Sequence, residues 1–255
     1  MANERVKNIK AILFDMGGTL KKPFQKTQDE NRLREGVERI LNLAGIENVD
    51  RETVTKYRDL LIERYYSYRK WASDTLRELH EEKFWTEWML PEFDREIIKK
   101  HAIELNEIFK DMIGDSELRD EAVPVIKELH RRGLKLGIVS NTFSSTGTPK
   151  LLKDLDIEGY FDVVVLSAQH GIRKPDPAMI KTALEKLNCE PKECAFVGDK
   201  MDRDMLAAKR AGLALSVLIV NPKKHVSLND NLNEFSDSKP DYVIKDLREL
   251  LEIFL

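Results

Sequence analysis

The sequence predicts an α/β protein: a doubly wound parallel sheet interrupted by an all-helical insertion. Three observations predict it. Short continuous apolar runs recur along the chain, each ended by glycine or polar residues. Amphipathic stretches of helix length lie between them, and residues 24–114 carry helical spacing with no convincing strand. Continuous apolar runs mark strands buried on both faces, as in a parallel sheet covered by helices. Their alternation with helices implies right-handed βαβ units.

The first strand is Ala11-Ile12-Leu13-Phe14, ended by Asp15 and the pair Gly17-Gly18. Similar runs follow at 136–140, 163–167, 195–197 and 215–220, with a shorter one at 242–244. Val123, Ile126 and Leu129 space a helix that stops at Gly133, and Met179, Ala183, Leu184 and Leu187 space another after Pro175 and Pro177. Within the insertion, Leu33, Val37, Leu41 and Ala44 precede Gly45. Val54, Tyr57, Leu61, Tyr65 and Tyr68 follow Asp50, a suitable N-cap. Leu76, Leu79, Phe84 and Trp88 end before Pro91, and Ile97, Ile98, Leu105, Ile108 and Met112 end before Gly114. Four helices after the first strand predict a separate domain at 24–114, with a core built from 1–23 and 115–255.

Composition narrows the classes of function. The 255 residues carry 42 Lys and Arg against 45 Asp and Glu, a formal charge of −3, which excludes the strongly basic footprint of a dedicated nucleic-acid binder. No apolar run approaches the ~18 residues of a membrane span; the longest, 213–220, is strand-sized. The opening MANERVKNIK is charged and has no cleavable-looking tail, and two cysteines cannot staple the chain. These features predict a cytoplasmic protein without nucleic-acid or membrane partners.

The chemistry lies at the strand ends. Ligands of open parallel sheets sit beyond the carboxyl edge, so Asp15, directly after the first run, points into the expected site. Ser140-Asn141 closes the second run, Lys174 follows the third, and Asp199 closes the fourth. A carboxylate nucleophile, a hydroxyl, a lysine and a second carboxylate on one edge suit phosphoryl transfer through an aspartyl intermediate.

FDMGGTL, IVSN, RKPDP and VGDKMDRD resemble the four ordered motifs of the haloacid dehalogenase (HAD) superfamily, and the helical insertion resembles its C1-type cap. The resemblance spans nearly the whole chain and implies a Rossmann-like core and a hydrolase, most readily a phosphatase of a small phosphorylated metabolite. It implies Asp15 as nucleophile, with Ser140, the Asn141 backbone N–H and Lys174 binding the phosphoryl oxygens. Asp15, the Gly17 carbonyl and Asp199 would hold Mg²⁺, and Asp204 would orient a metal-bound water or Lys174, with Asp202 a weaker candidate. Family phosphatases carry a second Asp where this chain has Gly17, and that Asp protonates the leaving group. Losing a general acid–base costs roughly 10²–10⁴-fold in rate, so good leaving groups should be favoured. Two other readings stay open: a phosphate- or metabolite-binding protein with little catalysis, and a dehalogenase- or phosphonatase-type hydrolase. Asp199, typical of the metal-binding version of the site, weighs against dehalogenation.

The aromatic and basic segment 64–71 suggests stacking with a ligand, but its spacing fits Tyr65 and Tyr68 packed inward with Arg69 and Lys70 solvated. The five histidines show no ligand spacing, and Cys189 and Cys194 read as plain thiols.

Overall fold

The structure, a computed structural model, describes residues 2–220 and 238–255. Strand β1 (Ala11–Phe14) is followed by β2 (Gln25–Lys26), the helical insertion and β3 (Gly114–Asp115). Then come β4 (Lys135–Ser140), β5 (Val163–Leu166), β6 (Cys194–Gly198), β7 (Leu215–Ile219) and β8 (Tyr242–Ile244). Six strands form one sheet in the order β5-β4-β1-β6-β7-β8, and every pairing in it is parallel. Order reverses on either side of β1, which creates the crevice beyond its carboxyl end where ligands of such sheets bind.

β1 is fully buried because Ile12 and Phe14 point to one packed layer while Ala11 and Leu13 point to the other. Burying such a side chain contributes about 1.5–3 kcal/mol, so a four-residue strand suffices to anchor the sheet's centre. The helices Ala122–Arg131 and Ala178–Leu187 cover opposite layers, as their apolar spacing predicted. The predicted strand 163–167 is one residue shorter, because Ser167 starts a short helix, Ser167–His170. Among the described residues no helix is long and apolar enough to cross a membrane.

The insertion holds the helices Glu30–Leu43, Arg51–Thr75 and Arg95–Ile113, around a hydrophobic cluster of its own. Asp50 caps the second of these, its carboxylate accepting from Thr53 N at 2.7 Å. Two sequence expectations need correction. The helix anticipated from Leu76 to Trp88 begins only at Glu81, as a short α turn that widens into the π-helical turns Phe84–Met89. Leu76 adopts a left-handed conformation (φ 55°) that ends the preceding helix, and the chain then runs extended: Arg77 bridges Ile172, and Glu78 N donates to Gly171 O at 3.0 Å. The insertion also carries strand: β2 and β3 pair antiparallel at its base. Two residues per strand lie below what alternation can signal.

The loop after β4 grips this insertion. Phe143 enters its aromatic cluster, 5.3 Å from Tyr65 and 5.6 Å from Phe84 between ring centroids. Asn106 Nδ2 donates to Phe143 O at 3.1 Å, and buried Glu81 accepts from Ser145 N. Tyr65 and Tyr68 pack inward while Arg69 and Lys70 are exposed, as their spacing suggested.

Candidate active site

Asp15 leaves β1 at its carboxyl end and is 2% exposed. Its backbone N–H donates to Val197 O at 2.9 Å, continuing the ladder with β6 and fixing the residue at the switch point. Lys174 reaches it from the loop after β5. The ammonium lies 2.7 Å from Asp15 Oδ1, 2.8 Å from Asp204 Oδ1 and 2.6 Å from Val139 O, so its three protons have three acceptors inside a fully buried pocket. The Phe196 ring lies beneath it, 4.9 Å away.

Asn141 fixes the lysine's backbone. Its side-chain amide donates to Lys174 O at 2.9 Å and its Oδ1 accepts from Lys174 N at 2.9 Å. This reciprocal pair joins the loop after β4 to the loop after β5, and the Lys174–Pro175 peptide is cis. Ser140, the last residue of β4, is buried beside them. Thr142 N donates to Ser167 Oγ at 2.8 Å, so the same loop is also held from the start of the short helix after β5.

Asp199 and Asp204 come from the segment after β6. Oxygens of Asp15, Asp199 and Asp204 lie within 4.8 Å of one another. Two glycines permit this approach: a Cβ on Gly18 (φ +88°) would stand 2.3 Å from Asp199 Oδ2, and one on Gly198 would stand 2.4 Å from Asp204 Cβ. At Gly17 a Cβ would meet nothing within 4 Å, so the backbone there is open to a side chain. Asp202 is exposed and outside the group.

The electrostatics of the two later acids diverge. Burial, then the charge of Asp15, pushes the Asp199 carboxyl up to about 6. Burial acts in the same sense on Asp204, but Lys174 and then Arg203 reverse it and hold that carboxyl at about 2. All three acids offer oxygen donors, a set suited to a hard divalent cation.

Sequence reasoning missed Arg203, although it lies in the quoted VGDKMDRD. Its guanidinium Nη2 is 3.4 Å from Asp15 Oδ2, 3.1 Å from Asp199 Oδ1 and 3.3 Å from Asp204 Oδ2. The four-residue step from Asp199, one helical turn, was the available signal. Also missed was Glu78, a buried carboxylate from the insertion. It accepts from Tyr68 Oη, from Ser167 Oγ at 2.7 Å and from Arg173, the neighbour of Lys174. No periodicity links residues so far apart in sequence.

A family model described as haloacid dehalogenase-like hydrolase matches residues 9–212. The chain is similar to a phosphoglycolate phosphatase of Aquifex aeolicus, 28% identical over 237 residues that cover 93% of this chain and 96% of that one. It is equally similar to a glyceraldehyde 3-phosphate phosphatase of Methanocaldococcus jannaschii, 28% identical over 246 residues and 96% of each. Among solved structures, a 2-haloacid dehalogenase from Pseudomonas syringae pv. Tomato DC3000 shares the fold with a TM-score of 0.62 at 23% identity. That match covers 96% of this chain and 97% of that one. With four ordered motifs gathered on one sheet edge and a family match over most of its length, the chain belongs to the haloacid dehalogenase-like hydrolases.

Proposed function

We propose that this hydrolase is a Mg²⁺-dependent phosphatase of a small phosphorylated metabolite, working through an aspartyl phosphate on Asp15. The observation that carries the reading is the grouping of Asp15, Asp199 and Asp204 around a strand end where Lys174 fixes the nucleophile. Residues 24–114 form the cap of this enzyme and residues 1–23 and 115–255 its core, a division supported by the insertion's own hydrophobic cluster.

Asp15 Oδ2 attacks phosphorus in line while Lys174 holds Oδ1. The leaving oxygen departs with the bonding electron pair, as an alkoxide or aryloxide that takes its proton from solvent water. A water then attacks phosphorus of the acyl phosphate, loses its proton to solvent, and releases phosphate with the Asp15 carboxylate restored. Ser140 Oγ and the Asn141 backbone N–H take the phosphoryl oxygens and stabilise their charge. Lys174, its three protons already given to Asp15, Asp204 and Val139 O, adds positive charge from behind Asp15. Asp15, Asp199 and the Gly17 carbonyl would hold Mg²⁺, with Asp204 holding Lys174 and the turn behind it. Bound there, the ion supplies the positive charge that lets a phosphate dianion approach two carboxylates. The names of the relatives support small phosphorylated acids and sugars as substrates.

Gly17 offers no proton, so aryl and acyl phosphates should turn over best. The test is hydrolysis of p-nitrophenyl phosphate with Mg²⁺. Wild type should show turnover and Asp15→Asn only background, and equal rates in the two would sink the proposal. A second reading, binding of a phosphorylated metabolite with little turnover, is favoured by the open space at Gly17. Tight binding without turnover across a panel that includes aryl phosphates would select it.

A further inference from the structure

One nitrogen, Arg203 Nη2, touches one oxygen from each of the three clustered carboxylates, the arrangement a metal ion would make. We infer that Arg203 is a tethered counter-cation that competes with the divalent ion for these oxygens and so sets the site's metal affinity. The inference rests on the metal-dependent reading above.

Three facts carry it. First, all six carboxylate oxygens are engaged by the protein's own donors. Lys174 takes Asp15 Oδ1 and Asp204 Oδ1, Lys200 takes Asp199 Oδ2 at 3.2 Å, and Arg203 takes the remaining three while the Lys200 N–H shares Asp204 Oδ2. An ion entering between Asp15 and Asp199 therefore meets a donor already seated on each oxygen, and Arg203 is the one common to both. Second, its contacts of 3.1–3.4 Å are longer than the roughly 2.7–2.9 Å of a good charge-assisted bond. The planar fork achieves such geometry elsewhere, where Arg131 grips Glu128 at 2.7 and 2.8 Å. A spherical ion draws oxygens to about 2.0–2.1 Å and fits a three-oxygen corner better than a guanidinium does. Third, the Arg203 side chain is 24% exposed whereas Lys174 is 0% exposed, so Arg203 has a route to solvent and Lys174 has none.

Without Arg203 the three acids would be left with Lys174 inside and Lys200 at the rim. Arg203 thus stabilises the metal-free protein at the expense of metal affinity. Removing it should tighten Mg²⁺ binding by about 10-fold, opposite in sign to the roughly 10–100-fold losses that follow when groups supporting a metal ligand are removed.

The test is calorimetric titration of Mg²⁺ into wild type, Arg203→Gln and Arg203→Lys, each first stripped with chelator, with thermal melts in chelator and in excess Mg²⁺. Arg203→Gln should bind about 10-fold tighter, melt lower in chelator and gain more from Mg²⁺ than wild type does. Arg203→Lys, keeping the charge but unable to span three acids, should fall between. Equal or weaker affinity in Arg203→Gln, with a cooperative melt showing it folded, overturns the inference and leaves the metal site standing. No divalent binding in any of the three removes the metal reading and this inference with it.

Discussion

Where the helical insertion meets the sheet, one buried carboxylate, Glu78, faces one buried guanidinium, Arg173, and the remaining acceptor capacity is taken by Tyr68 Oη and Ser167 Oγ. At the carboxyl edge of the same sheet, three acids share Lys174 and a loosely held Arg203. The first cluster is charge-balanced and its hydrogen bonds are used up. In the second, three carboxylates crowd together and two of their three cations, Arg203 and Lys200, reach them from the solvent side, and Asp199 is pushed up to about 6. Buried groups that close on one another hold structure, whereas crowded acids whose cations can withdraw to solvent mark a place built for something that arrives.

Substitution at Gly17 should give the largest effect. Since a Cβ there meets nothing within 4 Å, Gly17→Asp can start from the existing backbone without a clash at its first carbon. Supplying the missing acid should raise kcat on alkyl phosphates by roughly 10²–10⁴-fold, with a much smaller gain on p-nitrophenyl phosphate, whose leaving group needs no proton. An unchanged ratio between the two substrates would mean that another group already donates the proton.

The junction should respond in stability rather than chemistry. Glu78→Ala strips the carboxylate from Arg173 and leaves a buried unpaired cation, a change that costs about 3–5 kcal/mol. Urea denaturation measures it. A loss under 1 kcal/mol would show that Arg173 finds solvent when released, and that the junction is not closed in the sense described.

Asp199 offers a pH signature. Its folded carboxyl is raised from 3.8 to about 6, so the native state binds the proton more tightly than the unfolded chain does. Its contribution to stability is therefore fully present below about pH 4 and is lost as pH rises to about 6, by up to about 1.4 kcal/mol per unit. Asp204 is held down at about 2 and adds no slope in that window, since its contribution is lost only at lower pH. Chelator-treated wild type should follow this slope in urea melts, and Asp199→Asn should flatten it. A wild type without the slope would place Asp199 in a more solvated setting.

The sequence carried the strand-end residues because position and chemistry coincide there: Asp15, Ser140 and Asp199 each stop an apolar run, and Lys174 sits in the loop after one. It could not carry Arg203, which lies among alternating charges that look like a solvated helix face until the fold turns them over the site. Glu78, Tyr68 and Arg173 were equally hidden, since their bonds cross from the insertion to the core without a periodic signal. The break at Leu76 was misread for a different reason. Apolar spacing continues past it into Leu79 and Phe84, but a left-handed residue ends the helix, and a leucine there gives none of the warning that glycine would.

Tyr68→Phe makes the finest cut. The hydroxyl donates to Glu78 and accepts from Leu79 N at 2.9 Å, so it ties the end of the long helix to the strand-like segment that crosses into the core. Removing it leaves the ring packed against Phe84 and Trp88 and takes away only those two bonds. Leu79 N and one Glu78 oxygen then lose a partner while Arg173 and Ser167 keep theirs, so the loss should be about 1–2 kcal/mol, the range for a buried hydrogen bond broken from one side. Combined with Glu78→Ala, Tyr68→Phe should cost less than the sum of the two, because both delete the same bond. Strict additivity in that double-mutant cycle would show that the hydroxyl and the carboxylate act independently. The junction would then be two separate contacts rather than one closed network.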